Sequence, residues 1–547
     1  PWTLTNVPSA GSLSSVSVAG NTATLTIAEG AGPTDTAVGS FTVALATNSA
    51  GIRDVNNHLS SFTATAPTDV AAPALVALNL LDNDSNGKVE TVTALFSEPL
   101  QTYSAATVPW TLTNVPSGGT LSSVASFAAA TLTLNLTPGA GAVDTTVGAM
   151  TVTMAANILG ARDAAGNLSY FAATAPLDQV APVLVTLSLL DNNGNGRVDT
   201  VTALFSETLA GYTAGTTPWT LTNVPAAGTL LSAAAASSTI TLTLAEGAGA
   251  ANTAVGTMTV AMASNILGAR DAAGNLASFA ATAPLDKVAP VLVTLSLLDN
   301  DTDGKIDRVT AVFSETLLTY SAGTTPWALS NVPSGGTLAS VSLASPTLTL
   351  TLTEGAGAAN TAVGTMTVAM ASNAGGARDA AGNLASFAAT TPLDGARPMA
   401  MTITDTNGSI NGRAQAGDTI SITFSEPLDP ASVPGSTTVT LTDPNTTGND
   451  TLTMVGVSNG PRNMGSNTYV TNNNTVASFA SSAVTLSNAN RTITVTIGST
   501  CSGTGCAGLA TQASAVNYRF RAAATLEDVA GNFAVSTVTL TYNAQLF

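Results

Sequence analysis

Apolar and polar residues alternate with a period of two along most of the chain. Between residues 178 and 285 the alternation marks the runs Val183–Leu190, Val198–Phe205, Trp219–Val224, Ile240–Leu244, Met258–Ala263 and Leu276–Ala283, mostly Val, Leu, Ile or Met interleaved with Thr, Ser or Ala. A period of two turns one face of a strand to a core and the other to water, and Thr suits the wet face of a pleat. Clusters such as Asn223–Gly228 and Glu246–Gly249 break the runs where turns are needed. No window keeps helical spacing with caps, so the pattern predicts strands throughout.

The pattern recurs. Pro-Trp stands at Pro1, Pro109, Pro218 and Pro326; Asp-x-x-x-Pro opens at Asp69, Asp178, Asp286 and Asp394; Phe-Ser-Glu ends at Glu98, Glu207, Glu315 and Glu426. Arg-Asp-x-x-Gly-Asn surrounds Asp163, Asp271 and Asp379, with variants at Asp54 and Asp528. The step is about 108 residues, long enough for each unit to own a core and too long for a solenoid repeat. Six or seven short strands per unit predict an all-β chain of tandem antiparallel β-sandwiches of immunoglobulin type. The expected domains are 1–68, 69–177, 178–285, 286–393 and a longer, diverged 394–547 that carries an Asn/Gly-rich insertion, Asn445–Asn474. Residues 1–68 lack the first two strands of a unit, and the reading expects further chain upstream rather than strands from another molecule. The connections, such as Pro176–Pro182, are short and proline-stiffened, so the units are expected to form a semi-rigid row.

In three units the first two strands are joined by one loop design. It reads Asp82, Asp84, Asn86, Gly87, Lys88 and Glu90 in the first, Asp191, Asn193, Asn195, Gly196, Arg197 and Asp199 in the next, and Asp299, Asp301, Asp303, Gly304, Lys305 and Asp307 in the third. Oxygen side chains at positions 1, 3, 5 and 9, Gly at 6 and a backbone carbonyl at 7 follow the first three-quarters of a calcium loop. Position 12, a bidentate Glu in a complete loop, is Thr93, Thr202 or Thr310. The remaining ligand is therefore expected from water, from Glu98, Glu207 or Glu315, or from Asp69, Asp178 or Asp286, with the weak affinity that suits extracellular calcium. The alternative is a polar turn in which Asp and Asn bond their own backbone. The matching segment of the last unit, Asn407–Gln415, has no carboxylate at these positions and is expected to hold no ion.

Charge sharpens this picture. Only 9% of residues are charged and the net charge is −18, which disfavours nucleic acid and anionic membrane as partners and favours cations. Of the 33 acidic residues, 22 fall in the loops, Phe-Ser-Glu, the turn Asp and the linker Asp, as ligands or caps would. One His and two Cys leave no ordinary His/Cys metal site, and without a second His a Ser/His/Asp triad is not credible. His58 stands where other units have Asn167, Asn275 and Asn383 and reads as a turn residue. Trp110, Trp219 and Trp327 are expected to pack in the cores, with an aligned sugar platform as the alternative. The turn around Asp163, Asp271 and Asp379 is expected to be an Asx-turn, with an ion site between units as the alternative. Cys501 and Cys506 are expected to form a short-loop disulfide, which fits an oxidising compartment. No run of 18 apolar residues predicts a membrane span.

Phe-Ser-Glu-Pro-Leu, the Asp-x-Asp-x-Asn-Gly loop before it and Asp-x-Ala-Gly-Asn near the end of the unit resemble bacterial immunoglobulin-like repeats of large cell-surface and secreted proteins. The resemblance covers nearly the whole chain, most weakly residues 430–525. It implies calcium-stiffened sandwiches in stalks, surface layers, filaments or adhesins. No enzyme activity is expected, because every acidic cluster repeats with the unit and an active site seldom does. The expected function is an extracellular structural one, with other copies of the chain or other surface proteins as partners. The alternatives are an adhesin that holds a receptor or glycan through residues 394–547, and the accessory part of a secreted hydrolase.

Overall fold

The computed structural model describes residues 1–128, 130–445 and 447–547; one residue of the 69–177 unit and one of the Asn445–Asn474 insertion therefore lie outside the described residues. Among these the regular elements are strands and short 3-10 turns, and there is no α-helix. Among the described residues no helix is long and apolar enough to cross a membrane. The chain is a series of tandem β-sandwich repeats.

The repeat at 178–285 shows why the alternation yields two layers. Its five-stranded sheet runs Thr229–Ala236, Thr239–Ala245, Thr200–Phe205, Leu184–Leu190 and Leu285–Asp286, and its three-stranded sheet runs Trp219–Thr222, Thr259–Met262 and Phe279–Thr282. Ile240, Leu242 and Leu244 point inward from the first sheet, and Val260 and Met262 from the second, all nearly inaccessible, while the intervening threonines face outward. The last strand is parallel: Ser188 pairs with Leu285 and Leu189 with Asp286. The linker aspartate that begins the next sequence repeat is thus stitched to the sheet of the repeat before it.

Trp219 is buried against this core. Its ring meets Phe279 edge-on at 5.9 Å and 68°. Trp110 with Phe171 and Trp327 with Phe387 repeat the contact, so these indoles pack the sandwiches and present no sugar-stacking face. The strand Thr229–Ala236 was not anticipated. Its Leu-Leu-Ser-Ala-Ala-Ala-Ala stretch carries too little contrast between faces to register as alternation.

The diverged repeat widens the first layer into an eight-stranded sheet. The Asn/Gly-rich insertion supplies two of its strands, Thr451–Met454 and Arg462–Asn463, and buries Leu452, Met454, Val457, Met464, Tyr469 and Val470 in the main core. A few well-placed apolar residues override the polar composition. Cys501 and Cys506 are joined by a disulfide, Cα atoms 6.0 Å apart. A loop this short constrains little of the unfolded chain, so replacing both cysteines with Ser is expected to lower stability by about 2 kcal/mol or less. Urea unfolding of the oxidised chain and the double variant measures it; a loss well above that would mean the bridge also holds Cys501–Ser502 onto Thr475–Ser487.

Candidate metal centres and the repeat junctions

The three loops turn tightly at position 6. Gly87, Gly196 and Gly304 have φ of 82°, 82° and 90°. A Cβ at Gly87 would lie 2.2 Å from Val143 Cγ1, so position 6 admits no side chain. The first aspartate folds back on this glycine in every loop: Asp82, Asp191 and Asp299 each accept its N–H through Oδ2, at 2.8, 2.9 and 2.9 Å. The side chain at position 5 caps position 7, with Lys88 N donating to Asn86 Oδ1, Arg197 N to Asn195 Oδ1 and Lys305 N to Asp303 Oδ1. Asn193 Oδ1 accepts from Asn195 N. The cationic side chains turn away to carbonyls: Lys88 to Gly139, Arg197 to Gly249 and Lys305 to Gly355.

Asp82, Asp84 and Glu90 bring carboxylate oxygens within 4.8 Å of one another, and Asp299, Asp301 and Asp303 do the same. Position 9 is tied to the N–H of position 2 in two of the loops. Glu90 joins its cluster, with Oε2 accepting from Asn83 N at 3.0 Å and Oε1 buried without a hydrogen-bond partner. Asp307 makes the matching bond, accepting from Asn300 N at 2.9 Å. The N–H of Asp199 donates to Leu190 O. Glu354 sits beside Asp301 and Asp303, an acid the loop pattern did not include because it comes from a hairpin about 50 residues on.

Burial pushes the Asp299 carboxyl up to about 6 against the N–H groups of Gly304 and Thr302, with Asp303 and Asp301 adding repulsion. Glu90 is also raised, by burial and then by Asp82 and Asp84. A divalent cation would reverse both causes, and oxygen donors of this kind suit a hard ion such as calcium. The orphaned Glu90 oxygen fits the same ion. Asn407–Gln415 is tied differently: Asp418 accepts from Gly408 N and Gln415 N, and Asn411 donates to Gln545 Oε1.

Glu98 and Glu207, candidates for completing the loops, lie elsewhere. Asp69, Glu98 and Asp163 form one cluster, and Asp178, Glu207 and Asp271 another, again within 4.8 Å. The linker Asp, the Glu of Phe-Ser-Glu and the turn Asp of one sequence repeat thus converge. Asp163 also ties its own turn, accepting from Asn167 N and Asn167 Nδ2.

A threonine of the preceding repeat reaches into each junction. Val183 N donates to Ser206 Oγ at 2.9 Å, the Ser206 and Thr145 hydroxyls are 2.6 Å apart, and Thr145 donates to Glu207 Oε1 at 2.6 Å. Because Ser206 already accepts from the backbone and Thr145 gives its proton to Glu207, Ser206 donates to Thr145. The same relay joins Thr36 to Glu98, Thr253 to Glu315 and Thr361 to Glu426. Thr145, Thr253 and Thr361 are fully buried. A sequence signal existed: Asp/Asn-Thr-x-Val-Gly recurs at Thr36, Thr145, Thr253 and Thr361. Thr145→Val keeps the shape and removes the relay, so it is expected to cost about 1–3 kcal/mol, the penalty for a buried polar partner left unmatched. Denaturant unfolding reads it; an unchanged midpoint would show that solvent satisfies Glu207.

Burial raises Glu207 to about 7, opposed by Thr145 and assisted by Asp178, Asp271 and Asp144. Glu98, Asp178 and Glu426 are raised as well, burial leading in each case. A carboxyl raised in the fold binds its proton more tightly there than in the unfolded chain. Its contribution is therefore fully present below the ordinary value of 4.5 and lost as pH rises toward about 7. In chelator the melting temperature is expected to fall across that window, and Glu207→Gln to flatten the fall. A melting temperature that climbs with pH in chelator would contradict these environments.

No protein-family model and no curated protein sequence matches the chain. Solved structures that are similar at low level include two surface-layer structures. One is described as the crystal structure of the S-layer protein rSbsC(31-844), with 13% identity, 86% of this chain and 54% of that chain covered, and a TM-score of 0.17. The other is the surface layer protein SbsC, domains 1-6, with 14% identity, the same coverages and a TM-score of 0.15. The chain spans about half the length of these structures, and neither score reaches that of a shared overall fold.

Proposed function

We propose that the chain is an extracellular structural protein of repeated immunoglobulin-like sandwiches, a stalk or surface-assembly subunit that spaces or joins copies of itself and is stiffened by calcium. One observation carries the reading: carboxylates gather at corresponding loops of different repeats, Asp82, Asp84 and Glu90 in one and Asp299, Asp301 and Asp303 in another. An active site seldom recurs with every repeat, whereas a stiffening site must. The Cys501–Cys506 disulfide agrees with an oxidising compartment. The domains are proposed as 69–177, 178–285, 286–393 and 394–547, with 1–68 a partial one.

Calorimetric titration of calcium into the metal-depleted chain tests this. Asp82→Ala, Asp191→Ala and Asp299→Ala should each remove about one ion, and Asn411→Ala none. Titrations in which no variant differs from the parent would leave the loops as ordinary turns and remove the basis for a calcium-stiffened role.

A further inference from the structure

Three Asn-Gly pairs lie in the acidic loops, Asn86-Gly87, Asn193-Gly194 and Asn195-Gly196, and three lie in the last repeat, Asn407-Gly408, Asn411-Gly412 and Asn459-Gly460. An asparagine before glycine can close on itself, because no Cβ shields the glycine nitrogen from the side-chain Cγ one residue back. The bonds around the loop pairs favour that closure. Each loop glycine gives its N–H to a carboxylate: Gly87 N to Asp82 Oδ2 at 2.8 Å, Gly194 N to Asp191 Oδ1 at 2.8 Å and Gly196 N to Asp191 Oδ2 at 2.9 Å. Each loop asparagine is held in an Asx-turn by the N–H two residues on: Lys88 N to Asn86 Oδ1 at 2.8 Å, Asn195 N to Asn193 Oδ1 at 3.0 Å and Arg197 N to Asn195 Oδ1 at 2.9 Å. A carboxylate thus rests on the nitrogen that would attack, and an N–H rests on the oxygen that would turn negative. These are the places of a general base and an oxyanion donor.

Asn411-Gly412 supplies the contrast within the same chain. Like Asn86 and Asn195, Asn411 is exposed, and like Gly87 and Gly196, Gly412 is buried, with φ of 84°. Its N–H groups are engaged otherwise: Gly412 N donates to the carbonyl of Phe547 and Arg413 N to that of Ile410. The third acidic loop already holds the product of the reaction. Its positions 3 and 5 are Asp301 and Asp303, where the second loop has Asn193 and Asn195. Gly304 N to Asp299 Oδ2 and Lys305 N to Asp303 Oδ1, both 2.9 Å, repeat the same pair of bonds, so this turn accommodates aspartate at position 5 without rearranging.

We propose that Asn86, Asn193 and Asn195 are self-modifying sites, which convert to aspartyl residues in the chain without a bound cation. Asp82 or Asp191 takes the glycine N–H proton as the nitrogen bonds to the asparagine Cγ. The Cγ–Nδ2 bond breaks, and the side-chain nitrogen leaves as ammonia with that proton. Water then opens the cyclic imide, at one carbonyl to aspartate and at the other to isoaspartate. The balance is one water consumed and one ammonia released, with no oxidant or reductant. The aspartate branch gives the second loop the carboxylate set of Asp299, Asp301 and Asp303 and so strengthens its hold on a hard cation. A cation on Asp82 or Asp191 withdraws the base, so a filled loop is protected. That protection rests on the calcium reading proposed above, whereas the reaction in chelator does not.

The test is to hold the folded 547-residue chain in chelator at neutral pH, in water enriched in heavy oxygen, and to follow each Asn-Gly pair by peptide mass spectrometry. Asn86, Asn193 and Asn195 should take up the label about tenfold faster than Asn411. Asp191→Asn, with its fold verified by an unchanged circular dichroism spectrum, should slow Asn193 and Asn195 to the Asn411 rate and leave Asn86 as it was. Calcium should slow all three. Labelling in the loops no faster than at Asn411 would overturn the proposal, and so would an Asp191→Asn chain in which Asn193 and Asn195 react as fast as before or faster. Fast labelling in chelator that calcium does not slow would uphold the modification and overturn the calcium reading of the loops instead.

Discussion

Removal of calcium by a chelator is expected to lower the melting temperature of the repeats that carry the acidic loops and to leave the 394–547 repeat unchanged. Two of the loops hold carboxylates together against their repulsion: Asp299 is raised to about 6 by burial and by Asp303 and Asp301, and Glu90 is raised by burial and beside Asp82 and Asp84. An ion relieves both. Stabilisation by a ligand grows as RT ln(1 + [L]/Kd), about 2.7 kcal/mol per site at a hundredfold excess over Kd. For a unit of about 108 residues this corresponds to a shift on the order of 10 °C. The Thr at position 12 removes a bidentate ligand, so saturation is expected only at about millimolar calcium. Scanning calorimetry should resolve a calcium-sensitive transition from an insensitive one, and Asp299→Ala should move part of the sensitive transition. Traces that superimpose with and without chelator would refute calcium as the stabiliser.

Trp219→Ala is expected to destabilise its repeat by about 3–5 kcal/mol, the range for deleting a buried aromatic side chain. The indole is 7% exposed and meets Phe279 edge-on, so alanine leaves a cavity between the layers that the surrounding strands cannot collapse to fill. Trp219 Nε1 also donates to Tyr212 OH at 2.7 Å, and Tyr212 in turn donates to Gly215 O. The substitution thus frees the loop leading into the strand as well as the core. Tyr212→Phe isolates that second effect and should cost only about 1 kcal/mol. Circular dichroism in urea measures both. Comparable losses for the two variants would mean that the hydrogen bond, rather than the packed ring, fixes the strand.

What the sequence determined by itself is local. Alternation located the strands of the 178–285 repeat because inward and outward faces of one strand differ within a few residues; Thr239–Ala245, whose burial alternates, was read directly. Gly at position 6 announced the loop turn because only a residue without Cβ fits beside Val143. The four residues between Cys501 and Cys506 were few enough to declare their pairing. The tertiary structure decided what distant segments share. Glu207 is one of several candidates for completing the loop that precedes it, and it meets Asp178 and Asp271 instead, because the fold brings the linker, the end of the second strand and the final turn together. Thr145 lies 62 positions from Glu207, so no periodicity could show that a buried hydroxyl crosses from one repeat to fix a carboxylate in the next. Thr229–Ala236 became a strand only because Thr239–Ala245 offered it a ladder, since backbone pairing asks little of side chains as small as alanine.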